Sequence, residues 1–264
     1  MKYMKKISKK ALFLILSVLV IGTVLGYKEY TDPFNRIKRT GVLRVGMTGD
    51  YIPMSFLNEG TGTYDGFDVE LAEVIAEELG AEIEYVPTTW PTLMEDTLSN
   101  QFDMALCGIT ITEDRKEKAL MSDGYLVNGK TILIRKEDIG KYRTLDDINK
   151  QEVTVMENPG GTNERFVREN LPEATLIIHE KNAEIPHLIA EGEADVMITE
   201  VAEAGYYVQM DDRLTAPLIS EPFTHGELGI LMPKGYEKLL KYVNEFIERE
   251  SATIDMLAEK YIYH

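Results

Sequence analysis

Apolar residues in this chain recur first at every second position and then at every third or fourth, and the two spacings alternate along its length. In GVLRVGMTGD (41–50), Leu43, Val45 and Met47 alternate with Val42, Arg44 and Gly46, which predicts a strand broken at Gly49. GFDVELAEVIAEELG (66–80) places Phe67, Val69, Leu71, Val74, Ile75 and Leu79 at helical spacing, with Asp68 as the expected cap and Gly80 as the stop. AEIEYVP (81–87) predicts a strand and WPTLMEDTLSNQ (90–101) a helix with Pro91 in its first turn. FDMALCG (102–108) returns as a strand, so the order is that of an α/β unit with parallel pairing.

The order then repeats. TEDRKEKA (112–119) predicts a polar helical turn and KTILIRKE (130–137) a strand. EVTVMENPGGT (152–162) runs from a strand into a glycine-rich turn, followed by a helix (163–170), a strand (175–180), a helix (183–193), the strand ADVMITE (194–200) and a helix (201–209). RLTAPLIS (213–220) and GELGILMPK (226–234) read as strands, and amphipathic helices between 236 and 260 close the chain. Residues 27–38, polar and containing Pro33, read as a lead-in. Two similar α/β units, the second inserted before a final return, predict two lobes. The expected lobes are 35–128 with 226–264, and 129–225, joined by two crossing strands near 126–133 and 220–229, with a ligand cleft between them. Leu239, Leu240, Val243 and Phe246 form the helical face expected to pack on the first lobe.

The amino terminus changes the picture of where the protein works. Lys2, Lys5, Lys6, Lys9 and Lys10 precede ALFLILSVLVIGTVLG (11–26), which is the pattern of an export signal. Residues 1–26 are therefore expected to be a signal peptide or an uncleaved tether to the membrane through 11–26, with the body of the protein exported to a periplasmic or other extracytoplasmic space. No cysteine follows that could carry a lipid anchor.

Composition narrows the partners. With 28 basic and 45 acidic side chains the net charge is −17; without the five amino-terminal lysines, 23 basic residues face 45 acidic ones, a net −22. A surface so negative repels phosphate backbones and argues against nucleic acid as a partner. Cys107, the single cysteine, cannot form an internal disulfide and reads as core. His179, His187, His225 and His264 are scattered, so no metal site is expected. There is no G-x-x-x-x-G-K-S/T, G-x-G-x-x-G or H-E-x-x-H, and no cofactor is expected.

In sheets of this kind ligands bind beyond the carboxyl ends of the strands. Those positions hold Asp50 and Tyr51, Trp90, Thr110 and Arg115 in the first unit, and Asn158, Gly160, Gly161, Thr162, Asn163, Glu200 and Glu203 in the second. Arg115 offers a two-pronged donor to a carboxylate, although an arginine inside TEDRKEK equally suits a solvated helix. Gly160-Gly161-Thr162 opens a helix whose free amides favour an anion, although such a stretch is more often an ordinary turn. Tyr51 and Trp90 are flat faces for a ring, or core. Glu200 and Glu203, three apart, suit a solvated helix face as well as a site.

RTGVLRVGMTGDYIPMSF, GFDVELAEVIAEELG, QFDMALCGITITEDRKEKALMSDGYL and GEADVMITE together resemble the extracellular solute-binding proteins of family 3, over about residues 35–262. The resemblance implies a two-lobed periplasmic-binding-protein fold of type II. It also implies that Arg115 and Thr110 hold a ligand α-carboxylate, with Thr162 assisting. Glu200 would take an α-ammonium and Tyr51 would form an aromatic wall. TGDYIPMSF, PTTWPTLM, DGYLVNGKT, ENPGGTNERF and MITEVAEA resemble, more narrowly, the cyclohexadienyl dehydratases, exported enzymes on the same fold. That implies conversion of prephenate to phenylpyruvate, or arogenate to L-phenylalanine, with Glu203 as catalytic acid, Lys130 and Tyr51 in support, and Trp90 against the substrate ring. A protonated acid in a dry cleft suits the departure of a ring hydroxyl, whereas an ammonium beside it would by itself lower its pKa. The alternative is a receptor for a polar amino acid that feeds an ABC permease. Glu200 stands where the family's shorter aspartate is expected, and FTHGELGILMP leaves His225 and Glu227 without a role.

Overall fold

The computed structural model describes residues 29–263, so the export or tether segment at 1–26 lies outside the described residues. Among the described residues no helix is long and apolar enough to cross a membrane. The segment expected as a lead-in is a helix, Pro33–Thr40, capped by Asp32 and ended by Gly41. Its polar character hid it, because Ile37 is its one fully buried side chain and helical spacing cannot be read from a single apolar residue.

From there β1 (Val42–Met47) leads into a three-stranded meander of β2 (Asp50–Tyr51), β3 (Ser55–Asn58) and β4 (Thr63–Asp65), which the spacing did not foretell. The helix Phe67–Leu79 follows, then β5 (Glu82–Pro87), the helix Leu93–Leu98 and β6 (Met104–Ala105). Asp68 does not cap the first of these helices. Gly66 occupies the cap, and Asp68 is turned into the core, where it accepts from Tyr125 Oη at 2.7 Å and from the Gly108 amide. Burial pushes its carboxyl up to about 7 against the pull of those two bonds. Pro91 precedes the second helix, which begins at Leu93.

β7 (Leu120–Met121) and β8 (Leu126–Asn128) lead into β9 (Lys130–Arg135), and the second unit adds β10 (Thr154–Glu157), β11 (Thr175–Ile178) and β12 (Val196–Glu200). The expected strand 213–220 shrinks to β13 (Leu214–Thr215), because Ala216–Glu221 turns back on itself through the Ile219 N–Ala216 O and Glu221 N–Leu218 O bonds. β14 (Gly226–Leu228) and β15 (Leu231–Met232) complete the strands.

The two main sheets share one plan. The first runs β5-β1-β6-β15-β7 and the second β11-β10-β12-β9-β13. In each, the first three strands are parallel, as the alternation predicts, the fourth runs antiparallel to them, and the fifth pairs antiparallel with the fourth. The fourth strand of each sheet arrives directly from the other lobe, β15 after β14 and β9 after β8. β8 and β14 pair antiparallel between the sheets, with Asn128 opposite Gly226, and these are the two crossing strands. The chain is thus a two-lobed α/β protein in which the carboxyl ends of the parallel strands face one cleft.

Each lobe has its own core. Leu43, Val45, Leu71, Ile75 and Met104 meet Leu239, Val243, Phe246 and Leu257 of the final helices in the first lobe. Ile132, Ile134, Val155, Val196 and Ile198 make the second. Asp103, fully buried, ties the first helix to this frame. It accepts from Arg36 Nη2, from Arg44 Nη2 at 2.8 Å and from the Arg44 amide at 2.9 Å. Asp103→Ala leaves both guanidinium groups without their carboxylate, and the expected cost is about 3 kcal/mol. A lower midpoint of urea unfolding at unchanged slope checks it.

Candidate active site

The strand ends converge on a cavity lined by residues from both lobes. Tyr51, Trp90, Gly108, Thr110 and Arg115 come from the first lobe, and Asn158, Gly161, Thr162, Asn163, Asn182 and Glu200 from the second. Two glycines set the closeness of its walls. Gly108 has φ +71° and a Cβ there would lie 2.2 Å from the Tyr51 ring; Gly160 has φ +82° and a Cβ would lie 2.6 Å from Pro91 across the cleft.

Glu200 is the centre of the polar network. Oε1 accepts from Lys130 Nζ and Thr110 Oγ1, both at 2.7 Å, and Oε2 from Tyr51 Oη and Asn128 Nδ2, both at 2.9 Å. Tyr51 and Thr110 belong to the first lobe, so these bonds also join the lobes. Burial alone would raise the carboxyl. The Lys130 charge and the hydrogen bonds from Lys130, Thr110 and Tyr51 outweigh it and hold Glu200 below the ordinary range. Lys130 spends its other donors on Thr162 Oγ1, at 2.7 Å, and Asn163 Oδ1. It lines no part of the cavity itself but fixes three residues that do.

Glu203 is placed differently. It sits in the first turn of the helix Val201–Met210, has no exposed surface and makes no ion pair among the described residues. Asn182 Nδ2 donates to Oε1 at 2.8 Å and Thr199 Oγ1 donates to Oε2. Burial pushes its carboxyl up to about 8 against these two bonds, so at neutral pH it carries a proton. Glu203 therefore lies one hydrogen bond behind the cavity wall, with Asn182 between. The tension between an ammonium and a protonated acid is resolved by position: Lys130 is bonded to Glu200, and Glu203 keeps its proton.

Arg115 is buried, lines the cavity and gives Nη1 to the Thr110 carbonyl at 2.6 Å. No carboxylate pairs with it among the described residues, which leaves a buried cation open to an anionic ligand. Gly161 caps the helix Thr162–Asn170 without a side-chain bond, and Gly161, Thr162 and Asn163 at that end line the same cavity. Trp90 donates Nε1 to Asp50 Oδ1 at 3.0 Å and meets Tyr51 edge-on, the centroids 5.8 Å apart. Asp50 is bonded to Trp90 and lies outside the lining of this cavity; burial raises its carboxyl.

Three participants went unread in the sequence. Asn128 occupies a crossing strand, Asn182 the loop after β11, and Glu157 the end of β10. Glu157 accepts from the Ile198 amide and is raised well above the carboxylate range by burial. The strand-end rule covers the β11 loop too, and applying it there finds Asn182. Among the described residues no cluster of His, Cys, Asp or Glu could hold a metal ion, and Cys107 is buried and free.

A profile of the bacterial extracellular solute-binding proteins, family 3, matches residues 43–264. The cyclohexadienyl dehydratase of Pseudomonas aeruginosa is 40% identical over 213 residues, 81% of this chain and 79% of that one. The L-cystine-binding protein TcyJ of Escherichia coli is 29% identical over 254 residues, 94% of each chain. Among solved structures, an ancestral amino acid-binding protein described as a precursor of cyclohexadienyl dehydratase superposes with a TM-score of 0.80 at 37% identity, covering 87% of this chain and 99% of its own.

The raised pKa of Glu203 has a stability consequence with a definite sign. An acid raised from 4.5 to about 8 contributes stability that is complete below 4.5 and is lost as pH rises through about 8. Glu203→Gln, which keeps shape without an ionisable proton, is expected to flatten that decline. Its melting temperature relative to the parent should rise by several degrees between pH 5 and pH 9, as scanning calorimetry would read.

Proposed function

The chain belongs to the bacterial extracellular solute-binding proteins, family 3, and within that family we propose that it is a decarboxylating dehydratase of the cyclohexadienyl class. It takes prephenate to phenylpyruvate, arogenate to L-phenylalanine, or both, with Glu203 as general acid. Fold alone does not decide between receptor and enzyme, so the reading rests on the site. The observation that carries it is the pair of acids three residues apart with opposed environments. Glu200 is held ionised by Lys130, while Glu203 is held neutral by burial. A receptor has to match the charges of its ligand, and a second carboxyl kept protonated one hydrogen bond behind the cavity wall adds nothing to that task. A dehydratase needs it.

The bond changes are few. The ring carboxylate leaves as CO2, and the electrons of its C–C bond enter the ring. The C–O bond opposite breaks, and the departing oxygen takes the Glu203 proton and leaves as water. Aromaticity drives the step, so no redox partner is required. Arg115 and the amides at Gly161–Asn163 bind the carboxylates, and Trp90 with Tyr51 walls the ring. Lobe closure excludes water, and Glu203 regains its proton from solvent when the lobes part. The protein acts outside the cytoplasm, after export directed by residues 1–26.

The second reading, a receptor for a polar amino acid that serves an ABC importer, is favoured by one observation: cationic Arg115 and anionic Glu200 line the same cavity, as an α-carboxylate and an α-ammonium would ask.

Turnover decides. The purified chain is expected to consume prephenate or arogenate, and Glu203→Gln to lower kcat by about 100-fold or more while ligand still binds. The parent kcat should fall on the alkaline side through about pH 8 as Glu203 ionises. No rate above the uncatalysed one with either substrate, together with tight binding of an amino acid, would establish the receptor instead.

A further inference from the structure

Asn182 lies in the short turn Asn182–Glu184, is 1% exposed, and is the cavity-lining residue in direct contact with Glu203. Its amide nitrogen serves two acceptors at once, Glu203 Oε1 at 2.8 Å and the backbone carbonyl of Asp50, in the other lobe, at 3.1 Å. A backbone carbonyl can only accept, so the orientation of the side-chain amide is fixed by its neighbours. Its oxygen, Oδ1, is then left buried without a hydrogen-bond partner. A buried acceptor with no donor costs stability unless something arrives to satisfy it.

From this arrangement we infer that Asn182 is the positioning residue of the reaction, presenting Oδ1 to the substrate's ring hydroxyl while its N–H holds Glu203 Oε1. The inference rests on the dehydratase reading of the site. A hydroxyl that donates its own hydrogen to Oδ1 turns a lone pair away from the amide and toward the acid beside it. The leaving water then carries two hydrogens of known origin: the original one, bonded to Asn182, and the one from Glu203. The Asp50 carbonyl makes the arrangement conditional on closure, because opening the lobes withdraws it and frees the amide to turn. Acid and leaving group are therefore aligned only when water is excluded.

The test is the pH profile of kcat on prephenate and on arogenate for the parent, Asn182→Ala and Asn182→Asp. Besides Asn182 and Thr199, Glu203 faces Asp50 from the first lobe, Glu200 and Glu157 from the strands beneath it, and Tyr51 and Tyr207. All of these remain in both variants, so a displaced profile in Asn182→Ala reports the lost amide, whereas Asn182→Asp also adds a carboxyl beside Glu203 that moves the limb the same way. Both variants should lose about 10- to 100-fold in kcat with KM within about threefold. The alkaline limb should move to higher pH, because the lost N–H favoured the ionised acid and its absence lets Glu203 hold its proton longer. Asn182→Asp is isosteric, so it guards against a variant that merely fails to fold. A parent-like profile in folded Asn182→Asp, or a fall in kcat with the limb unmoved, would overturn the role. A parent inert toward both substrates removes the dehydratase reading and this role with it, whereas an active parent with unaffected variants removes only the role of Asn182.

Discussion

The site depends on a cross-strand pair. Lys130 opens β9 and Glu200 ends β12, and the antiparallel register sets them opposite each other. Because side chains alternate faces along a strand, a slip of one residue would send the ammonium to the other side of the sheet. In the observed register Lys130 reaches Glu200 at 2.7 Å with both groups buried. A buried ion pair adds little to stability over an apolar pair of the same shape, and losing one partner is far more costly than never having had either. Its worth here is in assigning charge. It consumes the ammonium on one acid, so that the next acid along, one helical turn away, is left without a cation and stays neutral.

Much of this architecture was legible in the sequence because it follows from periodicity. Alternation in GVLRVGM and helical spacing in GFDVELAEVIAEELG give the first unit, and the repeat of strand and helix after Lys130 gives the second. The strand-end rule then gathers Tyr51, Trp90, Thr110, Arg115, Thr162 and Glu200, and all of them line the cavity. What stayed hidden has physical reasons. The helix Pro33–Thr40 is held by Asp103, a residue 67 positions away from Arg36, and long-range charge pairing leaves no local trace. Asp68 looks like a cap because capping acids and buried acids share the same letter, and only burial tells them apart. Asn128 and Asn182 act through amides whose partners are set by the crossing of the lobes, which no spacing encodes.

The cavity is a property of closure rather than of either lobe. Tyr51 and Thr110 reach Glu200, the Asp50 carbonyl reaches Asn182, and Gly160 meets Pro91, each across the cleft. The crossing strands β8 and β14 are short, and Asn128 within one of them bonds both Glu200 and its own neighbour Gly129. Hinge and site are thus bonded to each other, so movement at the crossing is felt directly at Glu200.

Receptor and enzyme can share this frame because the chemistry asks for so little beyond binding. The two-lobed frame seen here buries an arginine open to an anion and sets Tyr51 and Trp90 as flat walls in the same cavity. Decarboxylation needs only that the carboxylate be released into a space where neutral CO2 is at home, and aromatisation supplies the drive. The one group the receptor lacks is a proton donor that survives at neutral pH. In the proposed dehydratase, an acid on the first turn of the helix Val201–Met210 would supply it, provided that no cation reaches it. Here the Lys130 ammonium is already bonded to Glu200, and the hydrogen bonds to Glu203 come from Thr199 and Asn182. On the proposed reading, the step from binding to turnover is therefore a matter of where one charge is neutralised.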